Sequence, residues 1–226
     1  MGSEMCIRDS LTLADEFAHD YISNKLQQLF PSIKIVSEEG EKVSIDSENF
    51  FLVDPLDGTK EFLSGNSEFT VNIGYIQNKK ASLGAVSCPA KKEVFWTENN
   101  KSWFKRNNNI EVMSCFRRKR ASNVFVSRSH LDDKTLKYLK RKKFEKISKM
   151  GSSLKICSIA KNYGDIYPRF GSTMEWDTAA AHAILKLAKG EILTFDNKEL
   201  VYGKKNYKNE KFIAFGNIPE KILYFD

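Results

Sequence analysis

The residues best suited to chemistry are two aspartates in the segment DPLDGTKEF, Asp54 and Asp57. They follow the apolar run Phe50–Val53, which predicts a buried strand that presents both carboxylates at its end. Hard divalent cations such as Mg²⁺ prefer oxygen ligands, and phosphoryl chemistry uses such cations to neutralise developing charge. The backbone amides of Gly58 and Thr59 are further candidates for binding phosphate oxygens. The same residues also fit a simple turn, because Asp-Pro and Asp-Gly pairs favour turns.

Two further acidic clusters accompany this segment. Glu38 and Glu39 follow a short strand candidate, Ile33–Val36. Asp177 lies at the start of a helical pattern that runs to about Lys189. Each cluster has an ordinary explanation, since a Glu pair is usually a solvated loop and an Asp before a helix is usually its N-cap. Three such clusters in one chain of 226 residues favour a metal site over three unrelated explanations.

Taken in order, the three clusters resemble the motifs of the inositol monophosphatase superfamily of metal-dependent, lithium-sensitive phosphatases. The similarity runs from about Thr12 to the C-terminus. Five further segments resemble the 3'(2'),5'-bisphosphate nucleotidase branch of that superfamily more than its inositol branch. They are Lys60–Phe62, Glu68–Ile73, Ser127–His130, Gly151–Lys155 and Tyr167–Gly171.

The resemblance implies an α/β (α+β) fold, a layered αβαβα sandwich of the inositol monophosphatase and fructose-1,6-bisphosphatase type. We expect a metal-binding α+β half at residues 11–118 and an α/β half at residues 119–226, with the active site between them. Residues 1–10, MGSEMCIRDS, resemble the translation of a sequencing adapter and are expected to be non-native. The one or two helices with which the superfamily usually begins would then be missing.

Apolar periodicity supports this organisation. It predicts a helix that starts at Leu13 and ends before Pro31, followed by strands at Phe69–Ile76, Ser82–Ser87 and Glu93–Thr97. Strands and helices then alternate, which is typical of an α/β arrangement. The predicted elements are Asn123–Ser127, Phe144–Ser148, Asp165–Arg169, Glu191–Thr194 and Phe212–Phe215 as strands, and Asp132–Lys142, Ser153–Lys161 and Asp177–Lys189 as helices.

The resemblance assigns the metal ligands. Glu38, Asp54 and the backbone carbonyl of Leu56 would hold one Mg²⁺, and Asp54, Asp57 and Asp177 would hold a second. Relatives bind two or three ions. One carboxylate can bridge two cations with its two oxygens, so a shared Asp54 is physically reasonable. Without metal, the bunched carboxylates would repel one another.

The resemblance also suggests catalytic groups. Thr59 would contact the attacking water and Asp15 would accept the threonine proton, because a hydroxyl alone is not a base at neutral pH. Glu38 is expected to serve in catalysis as well as in metal binding. Asp15 also fits a helix acid of the first turn, stabilised by the helix dipole, and the spacing alone does not connect it to Thr59.

The implied reaction is in-line attack of water on the 3'-phosphate of adenosine 3',5'-bisphosphate, which gives AMP and phosphate. Ser152, Ser153 and Lys155 form an anion-site pattern at a helix start, although either serine also fits a plain N-cap. Arg169 is a candidate for binding the 5'-phosphate, with help from Lys60. The remaining expected substrate contacts are Glu38, Leu56, Asp57, Gly58, Thr59 and Asp177.

Composition is compatible with an anionic substrate. The net charge is +7 and the pI is near 9.1, which would also suit nucleic acid. However, the basic runs Arg117–Arg120 and Arg141–Lys143 lack interleaved aromatic residues, so no stable nucleic-acid complex is expected. No apolar stretch reaches the length of a membrane span. The four cysteines show neither metal-ligand spacing nor a disulfide framework. We therefore expect a cytoplasmic protein, or one peripheral on the cytoplasmic face of the inner membrane, with its oligomeric state open.

Two alternatives to a bisphosphate nucleotidase stay open at this point. One is an inositol-phosphate or fructose-bisphosphate phosphatase, against which Lys60 and the Gly151–Lys155 segment argue. The other is a truncated, inactive chain that binds nucleotides. The intact set of acidic residues argues against it, because a binding protein need not keep every metal ligand.

Overall fold

The computed structural model describes residues 12–41, 47–142 and 144–219. The adapter-like segment at residues 1–10 lies outside this described part. The helices are α1 Leu13–Leu29, α2 Thr59–Leu63, α3 Asp133–Lys142, α4 Leu154–Ala160 and α5 Ala179–Leu187, with a short 3₁₀ helix at Pro89–Lys91. The strands are β1 Lys34–Ser37, β2 Asn49–Asp57, β3 Thr70–Gln77, β4 Lys80–Cys88, β5 Glu93–Glu98, β6 Lys101–Arg106, β7 Asn109–Met113, β8 Asn123–Ser127, β9 Lys146–Met150, β10 Ile166–Arg169, β11 Glu191–Thr194 and β12 Phe212–Phe215.

The first sheet contains seven strands in chain order, from β1 to β7. Strand β1 runs parallel to β2, and all later neighbours are antiparallel. Tight turns join these antiparallel strands. Asn99, Asn100 and Asn107 adopt positive φ, a conformation that asparagine tolerates better than most residues.

The second sheet has the strand order β11-β12-β10-β8-β9. Strands β8, β9 and β10 are parallel to one another, as expected for strands joined through helices, whereas β12 is antiparallel to both of its neighbours. The predicted strand at Phe144–Ser148 begins two residues later than expected, at Lys146. Among the described residues, none of the helices combines the length and apolar character that a bilayer crossing requires.

Alternate side chains of single strands enter different cores, which shows how the layers stack. On β2, Phe50 and Leu52 join the central core, whereas Phe51 and Val53 pack under α1 with Leu26. On β8, alternate side chains likewise pack into the central core and against α3. Helices α4 and α5 lie between the sheets. The order α1, first sheet, α4 with α5, second sheet, α3 confirms the predicted αβαβα sandwich.

Helix α5 lies against the first sheet at unusually short range. A Cβ atom on Gly84 would overlap the carbonyl oxygen of Ala180 and lie 2.8 Å from its carbonyl carbon. A Cβ on Gly74 would lie 2.9 Å from the Cβ of Ala179. Small residues on both surfaces thus allow the start of α5 to contact the sheet directly. This contact fixes the distance between the first sheet and the segment that precedes α5. That segment carries Asp177.

We expect Gly84→Ala to lower the free energy of unfolding by about 1–3 kcal/mol, the usual cost of overpacking a dense core. The added methyl group meets backbone atoms of Ala180, which cannot rotate away. Urea denaturation measures the change. Gly171→Ala is the matched control, because its Cβ would lie at least 3.5 Å from every heavy atom outside its chain neighbours. Equal stability of the two variants would contradict the close packing described above.

Candidate active site

The acidic motifs meet at one cavity of about 330 Å³. It lies where β2 ends, near the starts of α4 and α5, and strand β10 forms part of its wall. The cavity is lined by every residue that was predicted to bind metal or substrate. These residues are Glu38, Asp54, Leu56, Asp57, Gly58, Thr59, Lys60, Ser152, Ser153, Lys155, Arg169 and Asp177.

Both aspartates of the first motif lie inside a strand and not beyond its end. Strand β2 continues through Pro55 to Asp57, and its pairing with β3 becomes irregular between Asp54 and Asp57. The irregular pairing accommodates proline, which cannot donate a ladder hydrogen bond. The amide of Leu56 donates to Oδ1 of Asp54 at 3.1 Å. A turn alone therefore does not explain this motif.

The tightest acidic cluster consists of Glu38, Asp54 and Asp177. One carboxylate oxygen from each of them lies within 4.8 Å of the others. All three donors are oxygens, and the side chain of Asp54 is almost fully buried, so the set suits a hard cation such as Mg²⁺. The cluster contains Glu38, which was predicted for the first ion, Asp177, which was predicted for the second, and Asp54, which was predicted for both.

The electrostatics of the cluster point the same way. Burial raises the pKa of Asp54 well above its usual range, and Glu38, Asp57 and Asp177 raise it further. Burial likewise raises the pKa of Asp177, with added repulsion from Asp57 and Glu38. A bound cation would offset both effects, because it supplies the positive charge that these buried carboxylates need. The residues present therefore fit a divalent metal ion.

Asp57 is oriented by hydrogen bonds from β3 and from the residue that precedes α4. Its Oδ2 accepts hydrogen bonds from the amide of Ser153 at 2.6 Å and from Nδ2 of Asn72 at 3.1 Å. The hydroxyl of Ser153 contacts Asn72 Oδ1 at 2.8 Å and Thr70 Oγ1 at 2.9 Å. Ser153 occupies the N-cap position of α4, yet its side chain makes no capping bond. The polar groups of Ser153 thus position Asp57.

The start of α5 differs from its predicted start. The helix begins at Ala179, and Thr178, not Asp177, occupies the N-cap position. The carboxylate of Asp177 instead accepts a hydrogen bond from the amide of Met174 at 2.8 Å. The N-cap explanation for Asp177 is therefore wrong. Its carboxylate bends back toward the preceding loop and lines the cavity.

Asp15 and Thr59 are not brought together. The amide of Thr12 donates to Oδ2 of Asp15 at 2.7 Å, and the two residues form a capping box at the start of α1. Thr59 Oγ1 donates to the carbonyl of Leu56 at 3.4 Å. Within the described ranges, no hydrogen bond joins Asp15 to Thr59, and Asp15 does not line the cavity. The observed contacts match a helix acid of the first turn, and the dyad stays a prediction.

Two buried cationic side chains line the same cavity, in addition to the exposed Lys60. Lys155 is buried, its Nζ donates to the carbonyls of Met150 and Ser152 at 3.2 and 2.6 Å, and burial lowers its pKa to about 8. The guanidinium of Arg169 donates to the carbonyls of His130 and Ser172 at 3.1 and 2.9 Å.

The Nε of Arg169 is buried without a hydrogen-bond partner among the residues that the structure describes. A buried guanidinium with an unsatisfied donor favours an anionic ligand, because an orphaned charged donor is costly.

Three polar residues of the site were not predicted from the sequence. Thr70 and Asn72 orient Asp57, and Tyr167 lines the cavity with a pKa that burial raises to about 12. A signal for the first two existed, because alternation on β3 places Thr70 and Asn72 on the face opposite Val71 and Ile73. Their partner Ser153 is too distant in sequence to be inferred.

Two histidines, His130 and His182, have different surroundings. His182 is buried, and its Nδ1 lies 2.9 Å from the hydroxyl of Tyr202 while its Nε2 lies 3.3 Å from Glu191. These contacts fit a structural role. His130 lines the cavity, so the structure places it beside the predicted substrate contacts.

Comparison with known proteins agrees with the fold and the site. A sequence profile described as the inositol monophosphatase family matches residues 5–217. The 3'(2'),5'-bisphosphate nucleotidase CysQ of Salmonella typhimurium is 40% identical over 195 residues, which are 85% of this chain and 79% of the relative. The enzyme of the same name from Buchnera aphidicola is 37% identical over 210 residues, which are 92% of this chain and 77% of the relative.

A solved structure supports the same assignment. The crystal structure of CysQ from Bacteroides thetaiotaomicron, a bacterial member of the inositol monophosphatase family, aligns with a TM-score of 0.84 at 34% identity. The alignment covers 93% of this chain and 87% of that one. The chain therefore belongs to the inositol monophosphatase family, and the resemblance stated from the motifs is confirmed.

Asp54→Asn is expected to raise the free energy of unfolding of the metal-free protein at neutral pH by roughly 1 kcal/mol, as when other functional-site charges are neutralised. A carboxyl whose pKa is raised by folding destabilises the fold increasingly as pH rises above the unfolded pKa of about 3.9. The advantage of the variant should therefore vanish toward acidic pH, and Mg²⁺ should reverse it.

Urea denaturation with a chelator and with Mg²⁺, across this pH range, measures the effect. Asp196→Asn, at an exposed position, is the matched control. A metal-free variant that is less stable than the unmodified protein at neutral pH would contradict the repulsion inferred for the cluster.

Proposed function

We propose that the chain is a Mg²⁺-dependent 3'(2'),5'-bisphosphate nucleotidase that hydrolyses the 3'-phosphate of adenosine 3',5'-bisphosphate to AMP and phosphate. One observation carries the proposal: a carboxylate cluster suited to divalent cations shares its cavity with two buried cationic side chains. A substrate with two phosphate groups matches both features. The CysQ relatives are 3'(2'),5'-bisphosphate nucleotidases, which supports the same substrate class.

The carboxylates account for the first phosphate. Bound Mg²⁺ would act as a Lewis acid and lower the pKa of a bound water molecule. Glu38, Asp54, Asp177 and the carbonyl of Leu56 would hold the ions, with Asp57 completing the set. We assign two Mg²⁺ ions that share Asp54.

Protein groups would also position the reacting atoms. Thr59 lines the cavity at the first position of α2, where its hydroxyl is available to orient the attacking water. Asp57 keeps a fixed orientation, because Ser153 and Asn72 both donate to its Oδ2. Such preorganisation reduces the rearrangement needed during the reaction.

Lys155 and Arg169 account for the second phosphate. Arg169 donates to two backbone carbonyls, which fixes the guanidinium in the cavity wall, and its remaining N–H groups are the candidates to bind an anion. Lys155 adds a second positive charge that is nearly removed from solvent. A substrate with one phosphate and an uncharged ring would leave these charges without a partner, so we expect discrimination against inositol 1-phosphate.

Asp57→Asn is expected to reduce phosphate release from adenosine 3',5'-bisphosphate by at least about 100-fold, because even changes behind a metal ligand cost about 10–100-fold. Release by the unmodified protein should require Mg²⁺ and should be faster than release from inositol 1-phosphate. A phosphate assay with and without Mg²⁺ tests both statements. Asp133→Asn, at an exposed position, is the control. Absence of release from the folded, unmodified protein would refute the proposed activity.

Arg169→Lys is expected to raise the KM for adenosine 3',5'-bisphosphate by about tenfold or more, since hydrogen bonds to charged groups contribute about 1.5–3 kcal/mol. The lysine keeps the charge but cannot donate to both carbonyls and to a phosphate together. The rate with inositol 1-phosphate should change little. Steady-state kinetics with both substrates provide the measurement, and Arg120→Lys at an exposed ion pair is the matched control. An equal loss for both substrates would argue against a role in binding the second phosphate.

A further inference from the structure

Glu175 is a buried carboxylate of the acidic motif at α5 that the proposed reaction does not use. It is fully buried and lies two residues before Asp177. Its Oε2 accepts a hydrogen bond from the amide of Gly203 at 2.6 Å, and its Oε1 accepts one from the amide of Lys204 at 3.0 Å. The ammonium group of Lys204 lies 2.7 Å from the same Oε1. Both oxygens of Glu175 are thus occupied by donors from one segment, Gly203 and Lys204.

The same part of the chain contacts the loop around Asp177 at further points. Nδ2 of Asn209 donates to the carbonyl of Met174 at 2.6 Å and lies 3.0 Å from the hydroxyl of Thr178. The amide of Glu175 donates to the carbonyl of Tyr207 at 2.7 Å. Residues 203–209 therefore form hydrogen bonds with the loop 174–178 on both sides of Asp177.

These contacts determine the orientation of the Asp177 carboxylate through Met174. The amide of Met174 is the donor that fixes Oδ2 of Asp177, and the carbonyl of Met174 is fixed by Asn209. Gly203 adopts a φ of +84°, which brings its amide within reach of Glu175. A shift of residues 203–209 would move Met174 and so turn the carboxylate of Asp177 within the cluster.

The charge of Glu175 needs an explanation beyond packing. A fully buried carboxylate is costly unless it is paired, and the acidic cluster nearby already concentrates negative charge. Its charge is balanced by Lys204, and the pair ties the loop to a segment outside the metal-binding motif. Groups that support metal ligands in this way commonly tune metal affinity.

We propose that Glu175 is a positioning residue which, together with Lys204 and Asn209, holds Asp177 in the orientation that binds the divalent cation. The inference rests on the proposed metal-dependent function. It does not depend on the identity of the substrate, because the property at issue is metal affinity.

The test uses Glu175→Gln in the full chain and measures Mg²⁺ binding by isothermal titration calorimetry. The glutamine amide would face an N–H donor in place of an oxygen acceptor, so one contact to Gly203 or Lys204 becomes repulsive. The Mg²⁺ dissociation constant is expected to rise by about 10–100-fold. Hydrogen exchange of residues 173–179 should also become faster in the metal-free variant.

Lys204→Met provides a second variant that removes only the ammonium group. This side chain is partly exposed, and the backbone amides of Gly203 and Lys204 still donate to Glu175, although loss of the ion pair is expected to lower the stability of the variant. The Mg²⁺ dissociation constant should rise by a smaller factor than in Glu175→Gln. Lys205→Gln, the exposed neighbour, is the matched control and should bind Mg²⁺ like the unmodified protein.

Unchanged Mg²⁺ affinity in folded Glu175→Gln and Lys204→Met would overturn the inference, even if both variants melt at lower temperature. Absence of Mg²⁺ binding by the unmodified chain would overturn it as well. Normal Mg²⁺ binding without phosphate release from adenosine 3',5'-bisphosphate would refute the proposed substrate and leave the role of Glu175 intact.

Discussion

Repulsion between buried carboxylates is the constraint on which the rest of this structure depends. Asp54 is almost fully buried beside Glu38 and Asp177, and burial together with this crowding disfavours its charged form. A protein can keep such a cluster only if the remaining fold is stable enough to hold it. The dense central core and the direct contact of α5 with the first sheet provide that stability. The function thus rests on a locally unfavourable arrangement that the sandwich enforces.

The neighbours of the cluster are oriented by contacts that do not themselves bind metal. Ser153 and Asn72 determine the direction of Asp57, and Met174 determines that of Asp177. Arg169, which lines the same cavity, is held by two backbone carbonyls. Negative and positive groups are therefore fixed independently within one cavity. This separation suits a ligand with two anionic groups, one bound through cations and one bound by the protein directly.

The sequence predicted those features that depend on short segments. The two aspartates of β2, their glycine and threonine, and the layered fold could be inferred because each motif is local and specific. The start of α5 was predicted incorrectly, because Asp177 forms a hydrogen bond with the preceding Met174 and leaves the cap position to Thr178. Alternation on β3 marks the face that carries Thr70 and Asn72, but their role in the site depends on Ser153, more than eighty residues away, and so was not inferred. A residue that orients another side chain is hard to recognise from the sequence around it.

The hydrogen bond from Ser153 to Asp57 has a consequence for the order of folding. It joins residues 96 positions apart, and it links a strand of the first sheet to a helix that follows a strand of the second. Contacts of such long range form only after much chain entropy has been lost. The complete metal site is therefore a late product of folding, absent from any species in which the two sheets have not yet docked. A chain in which the two sheets have not docked could not hydrolyse a phosphate, so the reaction itself reports the docked fold.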